Sequence, residues 1–452
     1  MNAGRRLPTP FWTLWAASAV SALGDGLRYV AFPLLAAGLS SDPRSVAFVF
    51  LAGYLPWPLF GLLGGAVVDR TDRRALMWRS DLLRAVLVAG FSLLVLAQGG
   101  QIAALAGVSF LLGVVETGFD NAASAILPMV VPAPQLESAN AWLQSVLTIN
   151  ATLVGGPFGA ALYGLGHHVP FAVDAVTFAV AAALIRSLAG DFAPTPNVGA
   201  AHLGRDIAEG LGWLWRQPFL RSACLLLVVI NGTLAAGEAV LVLFARQVLG
   251  LSDYGYTALL VTLALGAILG TLVAPRVRRQ VGLQAVVVAA ALCQAGALLA
   301  AGLSSRVTVA VAAMAVISAS NATWNVVTIS YRQAVVPAAL LGRVTSSYRV
   351  VGLSAMPLGA GAGGVIAHDY GLHAPFLLGG AVLVAATAAS FRGLSAAGPP
   401  PAPGADHRES CGTVSRAAAG PARGPTPRRR GRPWSPAVHR SSSRRRRGSP
   451  PS

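Results

Sequence analysis

Long apolar segments recur along the chain, and their length is the property that most restricts its fold. They extend from residue 11 to about residue 392, and each has roughly the 20 residues that a helix needs to cross a bilayer. Only 11% of the residues are charged, whereas a soluble protein carries about 25%. Because charge this sparse cannot cover the surface of a water-soluble protein, we expect an all-α polytopic membrane protein.

Twelve transmembrane spans are predicted from the positions where apolar runs meet polar residues. The predicted spans are 11–38, 46–68, 78–98, 102–130, 138–165, 170–188, 219–245, 254–275, 283–303, 307–331, 345–367 and 374–392. A long polar connection separates the first six spans from the last six. The predicted regions are an N-terminal six-helix bundle (1–190), a cytoplasmic linker (191–218), a C-terminal six-helix bundle (219–392) and a tail (393–452).

Arginine is distributed unequally between alternate connections, and this predicts the orientation of the chain. Short loops rich in positive charge stay in the cytoplasm. One set of connections holds only Arg44, Arg246 and Arg306. The opposite set holds Arg5, Arg6, Arg70, Arg73, Arg74, Arg79, Arg186, Arg205, Arg216, Arg221, Arg276, Arg278, Arg279, Arg332 and Arg343. Both termini are therefore predicted to be cytoplasmic, as is the loop between spans 2 and 3.

The linker ends in an amphipathic sequence, GRDIAEGLGWLWRQ (204–217). Its spacing places Ile207, Leu211 and Leu214 on one face of a helix. Such a helix either lies on the membrane surface or covers the bundle as a plain linker.

The tail, residues 393–452, has a different composition from the rest of the chain. It contains 12 Arg against Asp406 and Glu409 and is rich in Pro, Ser and Gly. Such a segment cannot bury a core, so it is predicted to be disordered. Attraction to anionic lipid of the inner leaflet is one expectation, and a segment without function is another. Nucleic-acid binding is conceivable but not expected.

The two halves of the sequence resemble each other. Pro157 of GGPFGAAL recurs 200 residues later as Pro357 of AMPLGAGA, and VVP at 130–132 recurs at 335–337. Two six-span halves in parallel repeat are typical of secondary transporters, whose halves rock around a central site.

Several motifs resemble those of one transporter superfamily. They are SALGDG in span 1, GAVVDRTDRR (65–74), VGGPFG in span 5, EGLGWLWRQPFLRS (209–222) and LLGRVTSSYR (340–349). On these motifs the chain resembles the major facilitator superfamily over roughly residues 8–392. Within it, the chain is similar to the exporter branch that includes bacterial enterobactin exporters and macrolide efflux proteins. The resemblance implies the major facilitator fold, a place in the bacterial cell (inner) membrane and an export function.

The charged loop after span 2 matches the superfamily signature G-x-x-x-D-R-x-G-R-R. The matching residues are Gly65, Asp69, Arg70, Arg73 and Arg74. Asp72 stands where the signature has its second glycine. The resemblance implies that Asp69 latches the two halves together on the cytoplasmic side when the site faces outward, with Arg73 holding Asp69 in place. A solvated turn that only marks topology is the alternative.

Ionisable side chains inside predicted spans are costly and usually functional. Asp25 and Arg28 are one helical turn apart and can neutralise each other. Glu116 and Asp120 share a face of span 4, and two carboxylates in a poorly hydrated cavity do not both ionise easily. Glu238 lies mid-span with no partner nearby in the sequence. The predicted proton-coupling candidates are Glu116, Glu238, Asp25 and Asp120.

Other polar residues in the spans have predicted roles in packing or in lining a cavity. Asp174, near one end of span 6, is interpreted as a structural cap. Span 5 is predicted to bend at Pro157. It is predicted to pack closely through Gly155, Gly156 and Gly159. The residues predicted to line a cavity for an amphiphilic ligand are Asn231, Asn321, Trp324 and Asn325, with helix-to-helix bonding as the alternative.

The preferred function is proton-driven efflux of a small amphiphilic molecule, such as a drug, a siderophore or a secondary metabolite. An importer or facilitator of an organic solute is one alternative, and a non-transporting sensor or scaffold is another. The chain has no nucleotide-binding loop and no nucleophile elbow. Cys224, Cys293 and Cys411 lack metal-type spacing. We therefore expect no enzymatic activity, no metal and no cofactor, and we expect a monomer.

Overall fold

The computed structural model describes residues 7–61, 71–190, 192 and 203–396, and every regular element in these ranges is a helix. The first six labelled helices are α1 (Thr9–Leu39), α2 (Pro43–Tyr54), α3 (Arg73–Gln98), α4 (Ile102–Val130), α5 (Leu136–Thr148) and α6 (Gly155–Leu165). The next four are α7 (Val169–Arg186), α8 (Leu203–Arg216), α9 (Pro218–Leu243) and α10 (Asp253–Val281). The last five are α11 (Leu283–Leu303), α12 (Val307–Val335), α13 (Ala338–Leu353), α14 (Ala355–Tyr370) and α15 (Ala374–Leu394).

Ten helical segments in the described ranges are long and apolar enough to cross a membrane. The first predicted span is the 31-residue helix α1, which lies outside this set; Asp25 and Arg28 lower its mean hydropathy. The second predicted span is only partly described, because residues 62–70 lie outside the described ranges. The helical membrane fold is therefore confirmed, while the count of twelve spans stays a prediction.

The repeat seen in the sequence has a structural counterpart. Helix α4 and helix α12 both contain 29 residues, and their limits differ by 205 positions. Each of the two helices ends at the first valine of a VVP motif. One predicted boundary is wrong. Helix α10 continues to Val281 through Pro275, where a loop was expected, and the Arg276 side chain donates a hydrogen bond to the backbone oxygen of Leu272 at 3.2 Å.

The predicted span 5 contains an irregular segment next to its glycines. Residues Ile149–Val154 form a π-helical segment between α5 and α6. The structure places Gly159 against the backbone of α1, since a Cβ atom there would lie 2.8 Å from the Leu27 carbonyl oxygen. Gly155 is equally close to Gly26, whereas Gly156 has room for a side chain beside Val30. A change of helical register just before Pro157 thus accompanies close packing of α6 on α1.

The bundle has two ends, which we name by residues. The Asp42 end carries the α1–α2 connection, residues 40–42, and the Asp72 end carries residues 71–72 before α3. The two halves are joined by contacts of α2 with α14 and of α6 with α10. Helices α2, α6 and α14 are the parts of their spans next to the Asp42 end. The halves are therefore packed together at that end of the bundle.

Helix α8 in the linker packs against α13. Leu214 is completely buried, and the Arg343 guanidinium lies 2.7 Å from Glu209. A Cβ atom at Gly210 would lie 2.6 Å from the Arg343 carbonyl oxygen. This packing on α13 is what a linker helix that covers the bundle requires, while a position on the membrane surface stays a prediction.

The packing of α6 on α1 makes a testable prediction. Gly159→Ala should lower the free energy of unfolding by about 1–3 kcal/mol, because the added methyl group overlaps the α1 backbone. The measurement is thermal unfolding of the detergent-purified protein. Gly107→Ala in α4 is the matched control, since no neighbouring atom lies within 4 Å of the point that its Cβ would occupy. Equal unfolding temperatures for the two variants would contradict the close approach.

Candidate functional site

A cavity of about 590 Å³ lies between the two halves. Its wall is largely apolar and aromatic, with Phe32, Phe50 and Trp57 among the lining side chains. Most of the lining comes from the first half of the chain, from α1, α2, α4 and the segment around Ala151. A volume of this size accommodates a drug-sized organic molecule.

All four predicted proton-coupling candidates line this cavity. Asp25 comes from α1, Glu116 and Asp120 from α4, and Glu238 from α9. Glu116 and Asp120 share one face of α4, as the four-residue spacing implies. Among the described residues that line the cavity, four carboxylates and the Arg28 guanidinium make it acidic. The helical spacing of the sequence indicated the acid pair on α4, but only the fold brings the four acids together.

Glu238 has two partners that the sequence did not indicate. The phenol of Tyr29 donates a hydrogen bond to Glu238 Oε1 at 2.6 Å, and the phenol of Tyr54 donates to Oε2 at 2.7 Å. Both tyrosines belong to the first half of the chain, whereas Glu238 belongs to the second. One carboxylate thus connects the two halves through both of its oxygens. The tyrosines are separated from Glu238 by 209 and 184 residues, so spacing along the sequence carries no signal of this contact.

Asp25 and Arg28 form the ion pair that their spacing predicted. The Arg28 guanidinium also lies 3.7 Å from Asp174 Oδ2. The prediction that Asp174 is a structural cap is wrong. Helix α7 begins at Val169 with His168 as its N-cap residue, and Asp174 is completely buried inside the bundle. The sequence placed Asp174 near a helix end, but contact with Arg28 depends on how α7 packs against α1.

The residues predicted to line the cavity from the second half do not line it in this structure. Trp324 is 1% exposed and belongs to the core. Asn231 donates a hydrogen bond to the Gly352 carbonyl oxygen at 2.9 Å. Asn325 donates to Asn321, one turn earlier in α12. These contacts correspond to the alternative interpretation, helix-to-helix and intrahelical bonding, because the second half is packed tightly around its own polar groups.

The gating-loop residues Gly65, Asp69 and Arg70 lie outside the described residues, so the latch stays a prediction. Arg73 and Arg74 are described and contact the segment after α7. The Arg73 backbone amide donates to the Phe192 carbonyl oxygen at 3.2 Å. The Arg74 side chain donates to the Leu188 carbonyl oxygen at 2.6 Å.

Asp72, the residue that departs from the superfamily signature, caps helix α3. Its side chain accepts a hydrogen bond from the Ala75 amide at 2.7 Å. A glycine would leave this helix end without a side-chain cap. The residue that replaces the second glycine therefore stabilises the start of the third predicted span.

The Asp42 end is closed by a contact between the halves. His368 Nδ1 of α14 lies 3.1 Å from Asp42 Oδ1, and Asp42 also accepts a hydrogen bond from the Arg44 amide at 3.0 Å. Partial desolvation acts against ionisation of Asp42, but the hydrogen bond from Arg44, the Arg44 charge and His368 outweigh it. Together they lower the pKa of Asp42 below its ordinary value. Ionised Asp42 therefore favours the closed Asp42 end.

The described residues contain no group of three or more His, Cys, Asp or Glu arranged to hold a metal ion. The cavity acids can instead bind protons or organic cations, while the aromatic wall contacts apolar groups. Two repeat-related halves around an acidic central cavity define a membrane transporter of the major facilitator superfamily. The chain belongs to the family of transmembrane secretion effectors, whose sequence model matches residues 7–396. Members of this superfamily are transporters and not enzymes.

Known efflux proteins and transporters are similar to this chain. The multidrug efflux pump Tap of Mycolicibacterium fortuitum is 26% identical over 379 residues, which cover 81% of this chain and 91% of Tap. Macrolide efflux protein A of Streptococcus pyogenes is 27% identical over 182 residues, or 39% of this chain and 44% of that protein. The crystal structure of a mutant nucleoside transporter NupG has a TM-score of 0.72 at 11% identity, covering 85% of this chain and all of that chain.

The closed Asp42 end makes a prediction about pH. Because the contact with His368, unlike those with Arg44, lowers the pKa of Asp42 only in the closed form, the contribution of ionised Asp42 to closure is complete above the ordinary aspartate pKa of about 3.9. It is lost as the pH falls through the lowered value. Asp42→Asn should therefore reduce the closed population at neutral pH, and acidification should reduce it in the wild type but not further in the variant.

The distance across the Asp42 end can be measured with spin labels on Ser41→Cys and Tyr370→Cys. The labelled protein has its native cysteines replaced by serine. Asp369→Asn, which changes a neighbouring exposed carboxylate on α14, is the control. A distance distribution that is the same in the wild type and in the Asp42→Asn variant at every pH would contradict the role of this contact.

Proposed function

We propose that the chain exports small amphiphilic organic molecules in exchange for protons, by alternating access of the cavity to the two sides of the membrane. The observation that carries this proposal is the contact of Tyr29 and Tyr54 with Glu238. It connects an ionisable group in the cavity with the relative position of the two halves.

The physical argument is one of linkage between protonation and conformation. An ionised carboxylate accepts hydrogen bonds from both phenols, and each bond to a charged group is worth roughly 1.5–3 kcal/mol. A protonated carboxyl has one oxygen that carries hydrogen, so one of these bonds is weakened. A conformation that moves α1 and α2 away from α9 loses both bonds. Protonation of Glu238 therefore favours separation of the halves, and separation in turn favours protonation.

The predicted orientation supports an exchange in the export direction. With cytoplasmic termini, the Asp42 end faces outward, and the conformation seen here is closed on the outside. In this conformation ionised Glu238 is favoured, which corresponds to proton release toward the cytoplasm. An outward-open conformation without the tyrosine contacts takes up a proton. Protons thus move inward as the cavity alternates, and a bound organic molecule moves outward.

The cavity wall supports an amphiphilic substrate. Phe32, Phe50 and Trp57 offer apolar contact, while the acids offer polar contact to a small number of groups. The similarity to a multidrug efflux pump and a macrolide efflux protein supports the same class. The proposal includes the bacterial inner membrane as location, monomeric action, the Asp69 latch on the cytoplasmic side and binding of the basic tail to anionic lipid.

The test is transport by the purified protein in liposomes with an imposed proton gradient. The probes are ethidium, Hoechst 33342 and erythromycin. Glu238→Gln and the double variant Tyr29→Phe, Tyr54→Phe should each reduce gradient-driven transport on the order of tenfold or more, because loss of one such hydrogen bond shifts the conformational equilibrium by that factor. Glu137→Gln is the control, since Glu137 is exposed in the first turn of α5 and lies outside the cavity.

Two results would contradict the proposal. One is wild-type movement of the probes that is independent of the proton gradient. The other is full gradient-driven transport in both the Glu238 variant and the tyrosine double variant. A gradient that drives accumulation from the opposite side would favour the importer alternative.

A further inference from the structure

Asp174 has no part in the mechanism above, although it is one of the most completely buried charged groups in the described chain. Its exposed fraction is 0%. The Thr177 hydroxyl donates its short hydrogen bond to the Asp174 backbone carbonyl oxygen at 2.7 Å and makes a longer contact with Asp174 Oδ1 at 3.4 Å. The Oδ2 atom has no hydrogen-bond partner among the described residues. The Arg28 guanidinium, at 3.7 Å, is near enough for an ion pair but too far for a hydrogen bond.

The position of Asp174 depends on Gly24 in the SALGDG motif. A Cβ atom at Gly24 would lie 2.2 Å from Asp174 Oδ1 and 2.0 Å from Thr177 Oγ1. Only a residue without a side chain leaves room for the carboxylate against α1 at this point. The motif thus places Asp174 beside the helix turn that carries both Asp25 and Arg28.

The surrounding charges do not balance. Among the described residues in this part of the first half, the carboxylates of Asp25, Asp81 and Asp174 lie with the guanidiniums of Arg28 and Arg84. The cavity acids Glu116 and Asp120 add to this excess of negative charge. Arg84 lies 3.5 Å from Asp81. The guanidiniums of Arg28 and Arg84 lie 5.8 and 5.4 Å from the centre of the Phe178 ring. An unmatched carboxylate in such a poorly solvated site is costly, and an added proton reduces the excess of negative charge.

Asp25 is the acid of this group that is partly exposed and lines the cavity. Its side chain is 31% exposed and lines the cavity, whereas the side chains of Asp81 and Asp174 are 0% exposed. The other charged groups that face this region are Glu116 and Asp120 of α4, which line the same cavity as Asp25, and Arg349 of α13, whose Cζ atom lies 5.9 Å from the centre of the Trp57 ring.

We propose that Asp174 is a positioning residue that competes with Asp25 for Arg28 and thereby sets the pH at which Asp25 takes up a proton. The inference rests on the proposed proton exchange and assigns its acid in the first half. A proton from cavity water binds a carboxylate oxygen of Asp25, and the Arg28 guanidinium moves from Asp25 to the unpartnered Oδ2 of Asp174. Loss of the proton to water reverses both movements.

This exchange gives protonation a mechanical effect within the first half. Arg28 is carried by α1, and Asp174 is carried by α7, which packs along α1. When Arg28 binds Asp174, α1 and α7 gain a direct charged hydrogen bond, and Asp25 is released toward the cavity. When Arg28 binds Asp25, both groups belong to α1 alone.

The experiment measures proton uptake by the detergent-purified full-length protein with a soluble pH indicator, and it needs no substrate. Asp25→Asn should remove one proton from the uptake curve. Asp174→Asn should move the midpoint of that proton to a lower pH by about one unit or more, because Arg28 is then no longer shared. The double variant should behave as Asp25→Asn alone.

Thr177→Val provides a test of opposite sign. Without the hydroxyl, the Asp174 carboxylate loses its longer, 3.4 Å contact with Thr177 and binds Arg28 more strongly, so the midpoint should move to a higher pH. This variant keeps every ionisable group and is nearly isosteric, so it tests the proposal even if Asp174→Asn does not fold. Asp253→Asn is the matched control, since Asp253 also pairs with an arginine, Arg246, but lies outside the cavity.

Two results would overturn the inference. One is a proton-uptake curve that is unchanged in both Asp174→Asn and Thr177→Val. The other is a proton-uptake curve that keeps its full amplitude in Asp25→Asn. Those results would leave the proposed transport function standing. Conversely, the absence of gradient-driven transport in liposomes would overturn the proposed function, while shifted uptake midpoints would still establish the role of Asp174.

Discussion

The contact of Glu238 with Tyr29 and Tyr54 is the interaction on which the arrangement of the central cavity depends. It is a hydrogen-bonded contact between the two halves, placed inside an apolar region where a charge is stable only when it is well partnered. Around it, α2 packs on α14 and α6 packs on α10, so the halves are held together on one side of the cavity. Under the proposed proton exchange, the separation of the two halves depends on the protonation of this carboxylate.

The two halves share a fold but not a charge pattern. The repeat spacing of 205 residues relates Glu116 and Asp120 of α4 to Asn321 and Asn325 of α12. The acids line the cavity, whereas the amides bond to each other within their helix. Among the described residues that line the cavity, the first half therefore contributes most of the ionisable groups, and the second contributes Glu238. This asymmetry places most of the cavity acids in the first half, while the contact of Glu238 with the two tyrosines requires both halves.

Much of the fold could be predicted from the sequence because apolar length is a local property. The predicted limits of spans 4 and 9 coincide with α4 and α11. Predicted span limits were wrong where a helix tolerates a residue that is unfavourable inside helices. An example is α10, which continues through Pro275. The prediction that Asp174 is a structural cap was wrong because the position of a residue along a helix does not determine whether its side chain is buried. The expected cavity role of Trp324 failed for the same reason, since an amphipathic side chain serves equally well in a core.

The sequence by itself determined the membrane class, the two-half repeat and the superfamily, since hydrophobic runs and short motifs are encoded in neighbouring residues. It also determined local charge pairs such as Asp25 with Arg28, because three residues make one helical turn. Only the tertiary structure decided which acids face one cavity, that Asp174 reaches Arg28, and that two tyrosines meet Glu238. These contacts join residues separated by more than 140 positions, and their geometry is set by helix packing, which no local pattern records.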